Sequence, residues 1–187
     1  MTILNDPNLE RLLDRLHERS DAQSSAIREH YAERERAVGR APEDQAALTK
    51  AFLADKIYAL DRDKAEFCYQ LCRAIDARRV VEIETSYGVS TLYLAAAVRD
   101  NVRAGGGNGI VIGTEYEHEK VRAARDAFQR SRFEQFHRFA GGRSARHTSS
   151  DRGVSRLHAR RYMDTDGTTG ARTCCSASET ESGRDVR

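Results

Sequence analysis

The stretch Val80-Val81-Glu82-Ile83-Glu84-Thr85-Ser86-Tyr87-Gly88-Val89-Ser90-Thr91 constrains the fold more than any other part of the chain. Three of its first four residues are β-branched. Arg78-Arg79 precedes the run and a turn-forming cluster ends it, which is the pattern of a short buried strand in a parallel sheet. Val89 to Val98, rich in Ala and Leu, reads as the helix that follows. Gly105-Gly106-Gly107-Asn108-Gly109 is then a loop. A phosphate cradle would place its glycines before a helix, whereas these precede a strand, so they read as a flexible connector. Ile110 to Thr114 is the second strand. Glu119 to Phe128 is the second helix, with Val121, Ala124 and Phe128 on one face. Strand, helix, strand, helix predicts an α/β chain with right-handed parallel connections.

The first 62 residues read as helices. Asp6-Pro7 combines a capping side chain with proline at the first helical position. Leu9, Leu12, Leu13 and Leu16 recur at i, i+3, i+4 and i+7, one apolar stripe that must face a packed surface. Ile27 and Tyr31 resume the pattern, and Gly39 to Pro42 breaks it. A further helix is expected from Pro42 through Leu48, Phe52 and Leu53 to Tyr58. The next is capped by Asp61 or Asp63, with Phe67, Leu71, Cys72 and Ile75 as its apolar face.

Composition excludes more than it assigns. A net charge of +2 argues neither for nor against nucleic acid, and basic and acidic residues interleave through the first two thirds as on solvated helix faces; acids interspersed among the later arginines leave no nucleic-acid partner expected. No apolar run approaches a membrane span, and Met1 to Asp6 lacks the basic-then-apolar pattern of a secretory signal, so the expectation is a cytoplasmic protein. Cys68 and Cys72, four apart on a helix, share a face as two zinc ligands would, but ordinary buried thiols account for the pair. No metal ligand set is expected.

In an open parallel sheet, ligands sit off the carboxyl ends of the strands. Glu115 closes the second strand, where its carboxylate can accept hydrogen bonds from ribose hydroxyls. Gly88 lets the backbone of the first turn approach a ligand, and Ser90 and Thr91 open the following helix. The turn lacks the G-x-G-x-x-G of nicotinamide cofactors, which disfavours a dinucleotide oxidoreductase.

These residues carry a resemblance. V-V-E-I-E-T-S-Y-G-V-S-T resembles the first motif of bacterial class I S-adenosylmethionine-dependent O-methyltransferases of the catechol and caffeoyl-CoA type, usually E-I-G-T-x-x-G-x-S-T. I-G-T-E-Y-E-H-E-K-V-R-A-A-R resembles their second motif, and K-A-E-F-C-Y-Q-L sits where they have a substrate-side helix. The resemblance implies S-adenosyl-L-methionine as cofactor and a small-molecule hydroxyl as methyl acceptor. It places Glu82, Gly88 and Ser90 at the methionine end of the cofactor, Glu115 on the ribose and Tyr116 beside the adenine, with Thr85 and Ser86 also among the cofactor-binding residues. It also implies pairing of two chains through N-terminal helices. The family's first-motif glycine falls on Glu84, a departure that adds bulk and charge.

The expected architecture is therefore a helical region (1–62), an incomplete Rossmann-like methyltransferase sheet of two strands (63–136) and a disordered tail (137–187). After Phe139 the large apolar residues are Val154, Leu157, Tyr162, Met163 and Val186, too few to offset an ordering cost of roughly 1–2 kcal/mol per residue. The resembled family continues as F-I-E-L-R-E-G-D and later V-D-F-L-L-x-D-G. Codons for Phe136 to Arg143 can be chosen so that loss of one nucleotide yields F-I-D-L-R-E-G-D. In the same frame, codons for Ser155 to Tyr162 yield S-R-D-F-T-L-D-G. The expectation is a shift of reading frame near Phe136. The divalent-metal carboxylates of intact relatives would lie beyond it, so no catalytic residue can be named. A non-catalytic helical interaction module, with the first 60 residues as a dimerisation arm, is the alternative.

Overall fold

The computed structural model describes residues 3–37 and 44–140 in full, and 42–43, 156–163 and 169–176 by backbone alone. Four helices come first: α1 (Pro7–Asp21), α2 (Ser24–Arg36), α3 (Pro42–Leu53) and α4 (Arg62–Ala74). The α/β unit follows as β1 (Arg79–Ile83), α5 (Val89–Gly105), β2 (Ile110–Thr114), α6 (His118–Ser131) and, after a 3-10 turn, β3 (His137–Phe139).

The Asp6 side chain accepts from Leu9 N at 3.1 Å and Pro7 opens the helix, so α1 starts as its sequence dictates. Leu9, Leu12 and Leu13 are buried and Leu16 is partly so, all in the chain's own core. No second chain is needed to cover the stripe.

α3 stops at Leu53, short of the expected Tyr58. The chain then runs back extended along α1. Gln23 Oε1 accepts from Ile57 N at 2.9 Å, and Ser20 Oγ donates to Ile57 O and accepts from Ala59 N. Ile57 and Leu60 are buried by this course, which a continuing helix would forbid.

α4 corrects a second expectation. Its buried side is Ala65, Cys68, Tyr69 and Cys72, while Phe67 and Ile75 stand 61% and 45% exposed. The helix packs against alanine-rich α5, where small side chains permit close approach and Tyr69 OH can reach Asp100 at 2.9 Å. Of the expected face, Cys72 is buried and Leu71 packs against the core, whereas Phe67 and Ile75 are exposed.

α5 is the hub, buried along its whole length from Val89 to Val98 and again at Arg99 and Asn101. Asn101 Nδ2 donates to Cys72 O and Ala77 O, at 3.0 and 2.8 Å, and so fixes the turn into β1. Arg99, 6% exposed, binds Asp6 at 2.6 Å and Asp100 at 2.8 Å and lies 4.9 Å from the centre of the Phe133 ring.

The sheet is parallel in the order β1-β2-β3. β1 pairs with β2 from Arg79↔Ile110 to Ile83↔Thr114, and β2 with β3 from Val111↔His137 to Gly113↔Phe139. This is the partial Rossmann-like sheet anticipated, with one strand more. The expected frame shift near Phe136 assigns His137–Phe139 to the tail, yet Phe139 is half-buried and both rings pack on α6, with His137 4.1 Å and Phe139 6.3 Å from Phe128. Two further strands lie within the span read as tail. β4 (Arg156–Met163) and β5 (Thr169–Ser176) pair antiparallel from Arg156↔Ser176 to Met163↔Thr169. Residues 141–155, 164–168 and 177–187 lie outside the described residues. No helix among the described residues is long and apolar enough to cross a membrane.

Candidate functional site at the carboxyl edge of the sheet

Parallel pairing of β1 and β2 sends their following loops to the same edge. The loop after β1 carries Glu84 to Gly88, and the loop after β2 carries Glu115 to Glu117. They meet through one carboxylate: Ser86 N donates to Glu115 Oε2 at 2.7 Å. Tyr116 N and Glu117 N donate to Oε1 of the same side chain at 2.7 and 2.8 Å. Thr85 N donates to Thr114 O at 2.8 Å, continuing the ladder beyond the strand.

Glu84 occupies a left-handed conformation, φ 65°, and its side chain is exposed. Left-handed backbone costs an L-residue roughly 1–2 kcal/mol, and glycine avoids that cost. The glycine of the resembled motif thus has a local physical reason in this turn. The added carboxylate is turned to solvent rather than into the core. Glu84→Gly is expected to raise stability by about 1 kcal/mol, read as a higher urea midpoint at unchanged slope. A lower midpoint would show that the Glu84 side chain has a stabilising role.

Gly88 also has positive φ, 82°, and a Cβ there would lie 3.0 Å from Phe128 Cζ and 3.2 Å from Ala124 Cβ. Its lack of a side chain serves the packing of α6 as well as the turn.

Glu82 is 1% exposed and faces inward. Its Oε1 accepts from Ser90 Oγ at 2.6 Å and its Oε2 from Thr91 Oγ1. Two adjacent hydroxyls on the first turn of α5 therefore hold a buried carboxylate of β1, tying strand to helix. Of the expected site residues, Glu82 and Ser90 are engaged with each other, Glu115 bridges the loops, and Thr85 and Ser86 lie between them. Thr85 Oγ1 and Ser86 Oγ are buried without a partner. Tyr116 is 75% exposed, with Lys50 Nζ 4.2 Å from the centre of its ring, and Tyr87 OH donates to Asp55 O at 2.9 Å. The end of α3 and its following turn thereby rim the same edge.

His137 becomes legible as part of this region only in the structure. A side chain at Gly113 would start 2.8 Å from His137 Nε2 and in collision with Thr85 Oγ1, so those two groups flank the same glycine of β2. His137 Nε2 is buried without a partner. Burial, with Arg125 adding repulsion, pushes the His137 imidazole down to about 4 from 6.5. The folded chain therefore holds it neutral while the unfolded chain protonates it. Its contribution to stability is intact above pH 6.5 and is lost as pH falls from there toward 4. Denaturant titrations across that window should show a loss of stability that His137→Phe reduces; an unchanged pH slope in the variant would contradict this.

No group of three His, Cys, Asp or Glu among the described residues is placed to hold a metal ion. A recess of about 330 Å³ lies away from the sheet edge, lined by Asp14, His17, Tyr58, Leu60 and Arg62 among others.

No protein-family model matches the chain. No curated protein matches it either. Among solved structures, the chain is similar to cofactor-bound Rv0187 from MTB, with 31% identity and a TM-score of 0.40, over 56% of this chain and 45% of that one. It is similar to the O-methyltransferase from Bacillus cereus in complex with SAH, with 18% identity and a TM-score of 0.41, over 56% and 45%. It is also similar to the O-methyltransferase TomG from Streptomyces achromogenes in complex with SAM, with 24% identity and a TM-score of 0.41, over 57% and 46%. The chain thus spans less than half the length of each.

Proposed function

We propose that residues 63–136 are the nucleotide-binding front half of an S-adenosylmethionine-dependent O-methyltransferase that methylates a small-molecule hydroxyl. Residues 1–62 form a helical region packed against it. The observation that carries this is the meeting of the two motif loops at one sheet edge, through Ser86 N and Glu115, with a left-handed backbone where the motif calls for glycine.

The cofactor, when bound, supplies an electrophilic methyl group on a sulfonium. The chain supplies position. Glu115 accepts from ribose hydroxyls, Tyr116 offers an aromatic face for the adenine, and Thr85 and Ser86 have hydroxyls without partners in the chain. Gly88 keeps the turn close. Glu82 and Ser90 act from beneath by fixing the start of α5. The acceptor-binding residues and the divalent-metal carboxylates of intact relatives are not assigned in this chain. A frame shift near Phe136 accounts for their absence, and the coding DNA decides it: the alternative frame must run without stops and contain the two family-like strings. The protein is proposed to be cytoplasmic and, as written, to bind the cofactor without turning over.

Photolabelling with methyl-tritiated S-adenosylmethionine tests the reading. Label should appear in a peptide within residues 82–116 and disappear under excess S-adenosylhomocysteine. Label spread over the chain, or insensitive to the competitor, contradicts it. The alternative, a helical dimerisation arm, is disfavoured by the burial of Leu9, Leu12 and Leu13 within the chain itself.

A further inference from the structure

Glu115 is already in use. Tyr116 N and Glu117 N both donate to its Oε1, and these contacts are local, shaping the loop after β2. Ser86 N is different, because it reaches Oε2 from the other loop, 29 residues earlier in the chain. Ser86 sits at φ 53°, a left-handed conformation that a serine holds only when its surroundings enforce it. Thr85 N, bound to Thr114 O, anchors the neighbouring peptide independently.

A carboxylate offers roughly four lone-pair sites, about two on each oxygen. Two N–H groups fill Oε1, and Ser86 N takes one site on Oε2. A single acceptor site remains, whereas a vicinal diol brings two hydroxyl donors. We propose that Glu115 is a latch: it fastens the first turn to the second loop in the ligand-free chain, and a diol-bearing nucleoside must release Ser86 N to be held by both hydroxyls. The diol half of this inference rests on the cofactor reading above, while the fastening does not. The latch makes affinity depend on the cost of freeing Ser86 as well as on the hydrogen bonds the ligand forms. Loosening the turn should therefore change binding without touching the ligand.

Residue-resolved amide exchange on the full chain tests both halves. A hydrogen bond to a charged acceptor corresponds to roughly ten- to hundredfold protection. Glu115→Ala should accelerate Ser86 exchange by about that factor while Thr85 keeps its protection, which also reports that the variant is folded. Glu115→Gln, which preserves shape and one acceptor oxygen, should give a smaller acceleration. Unchanged Ser86 exchange in a folded Glu115→Ala overturns the latch. Saturating S-adenosylhomocysteine should accelerate Ser86 in the unsubstituted chain and leave Thr85 alone. If S-adenosylhomocysteine binds and Ser86 stays protected, the opening step is wrong. If it fails to bind at millimolar concentration, the cofactor reading and ligand-driven opening fall together, and exchange in the Glu115 variants alone decides the fastening.

Discussion

Arg99→Ala is expected to destabilise the chain by about 3–5 kcal/mol, the usual cost of stripping a buried charge from its partners. The guanidinium is nearly inaccessible, and two of its partners come from the far end of the sequence, Asp6 at the cap of α1 and Leu4 O before it, while the third, Asp100, is its neighbour on α5. Losing it leaves two carboxylates without their main cation and an empty space beside the Phe133 ring. Arg99→Met separates the effects, because it refills the space and still strands the acids. If the pairing dominates, methionine recovers only a small part of the loss. If methionine restores full stability, packing alone accounts for the contribution of Arg99 and the ion pairs add nothing. Urea denaturation read by circular dichroism suffices for both variants.

Leu13→Ala should cost about 3 kcal/mol, within the range for deleting most of a fully buried leucine. Leu13 has no measurable exposure and sits in the same cluster as Leu9, Leu92 and Tyr93. The variant distinguishes two uses of the α1 stripe. A stripe spent on the chain's own core predicts loss of stability with an unchanged sedimentation coefficient in the folded state. A stripe serving a dimerisation arm predicts the reverse, dissociation with little change in monomer stability.

Much of this architecture is legible in the sequence because the decisive signals are local. The β-branched runs at Val80 and Ile110, the Asp6-Pro7 cap and the leucine spacing in α1 each act within a few residues, and each produced its element. What escapes is set by contacts between distant segments. α3 ends early because Ser20 and Gln23 take the backbone of Ile57 and Ala59, which no pattern around Tyr58 announces. α4 buries Ala65, Cys68, Tyr69 and Cys72 because alanine-rich α5 lies against them. His137 joins the sheet because Phe128 waits on α6.

The site divides in the same way. The identity and spacing of Glu82, Gly88, Ser90 and Glu115 are readable, since strand ends and helix starts place them. Their states are not. Glu82 is held by Ser90 and Thr91, and Glu115 closes on Ser86, because satisfying buried polar groups is decided by the folded geometry as a whole. At Glu84 the sequence states only that the motif glycine is missing. The backbone conformation supplies the consequence, a strained turn with an exposed side chain.

The carboxyl edge of this sheet is proposed as a nucleoside-binding edge that a restored reading frame would complete. Calorimetric titration of the frame-restored protein with S-adenosylhomocysteine tests it most directly. The prediction is saturable 1:1 binding that Glu115→Ala abolishes and that is tighter than binding to the chain as written. No detectable heat from a frame-restored protein shown to be folded, with binding equally absent by equilibrium dialysis, would contradict it.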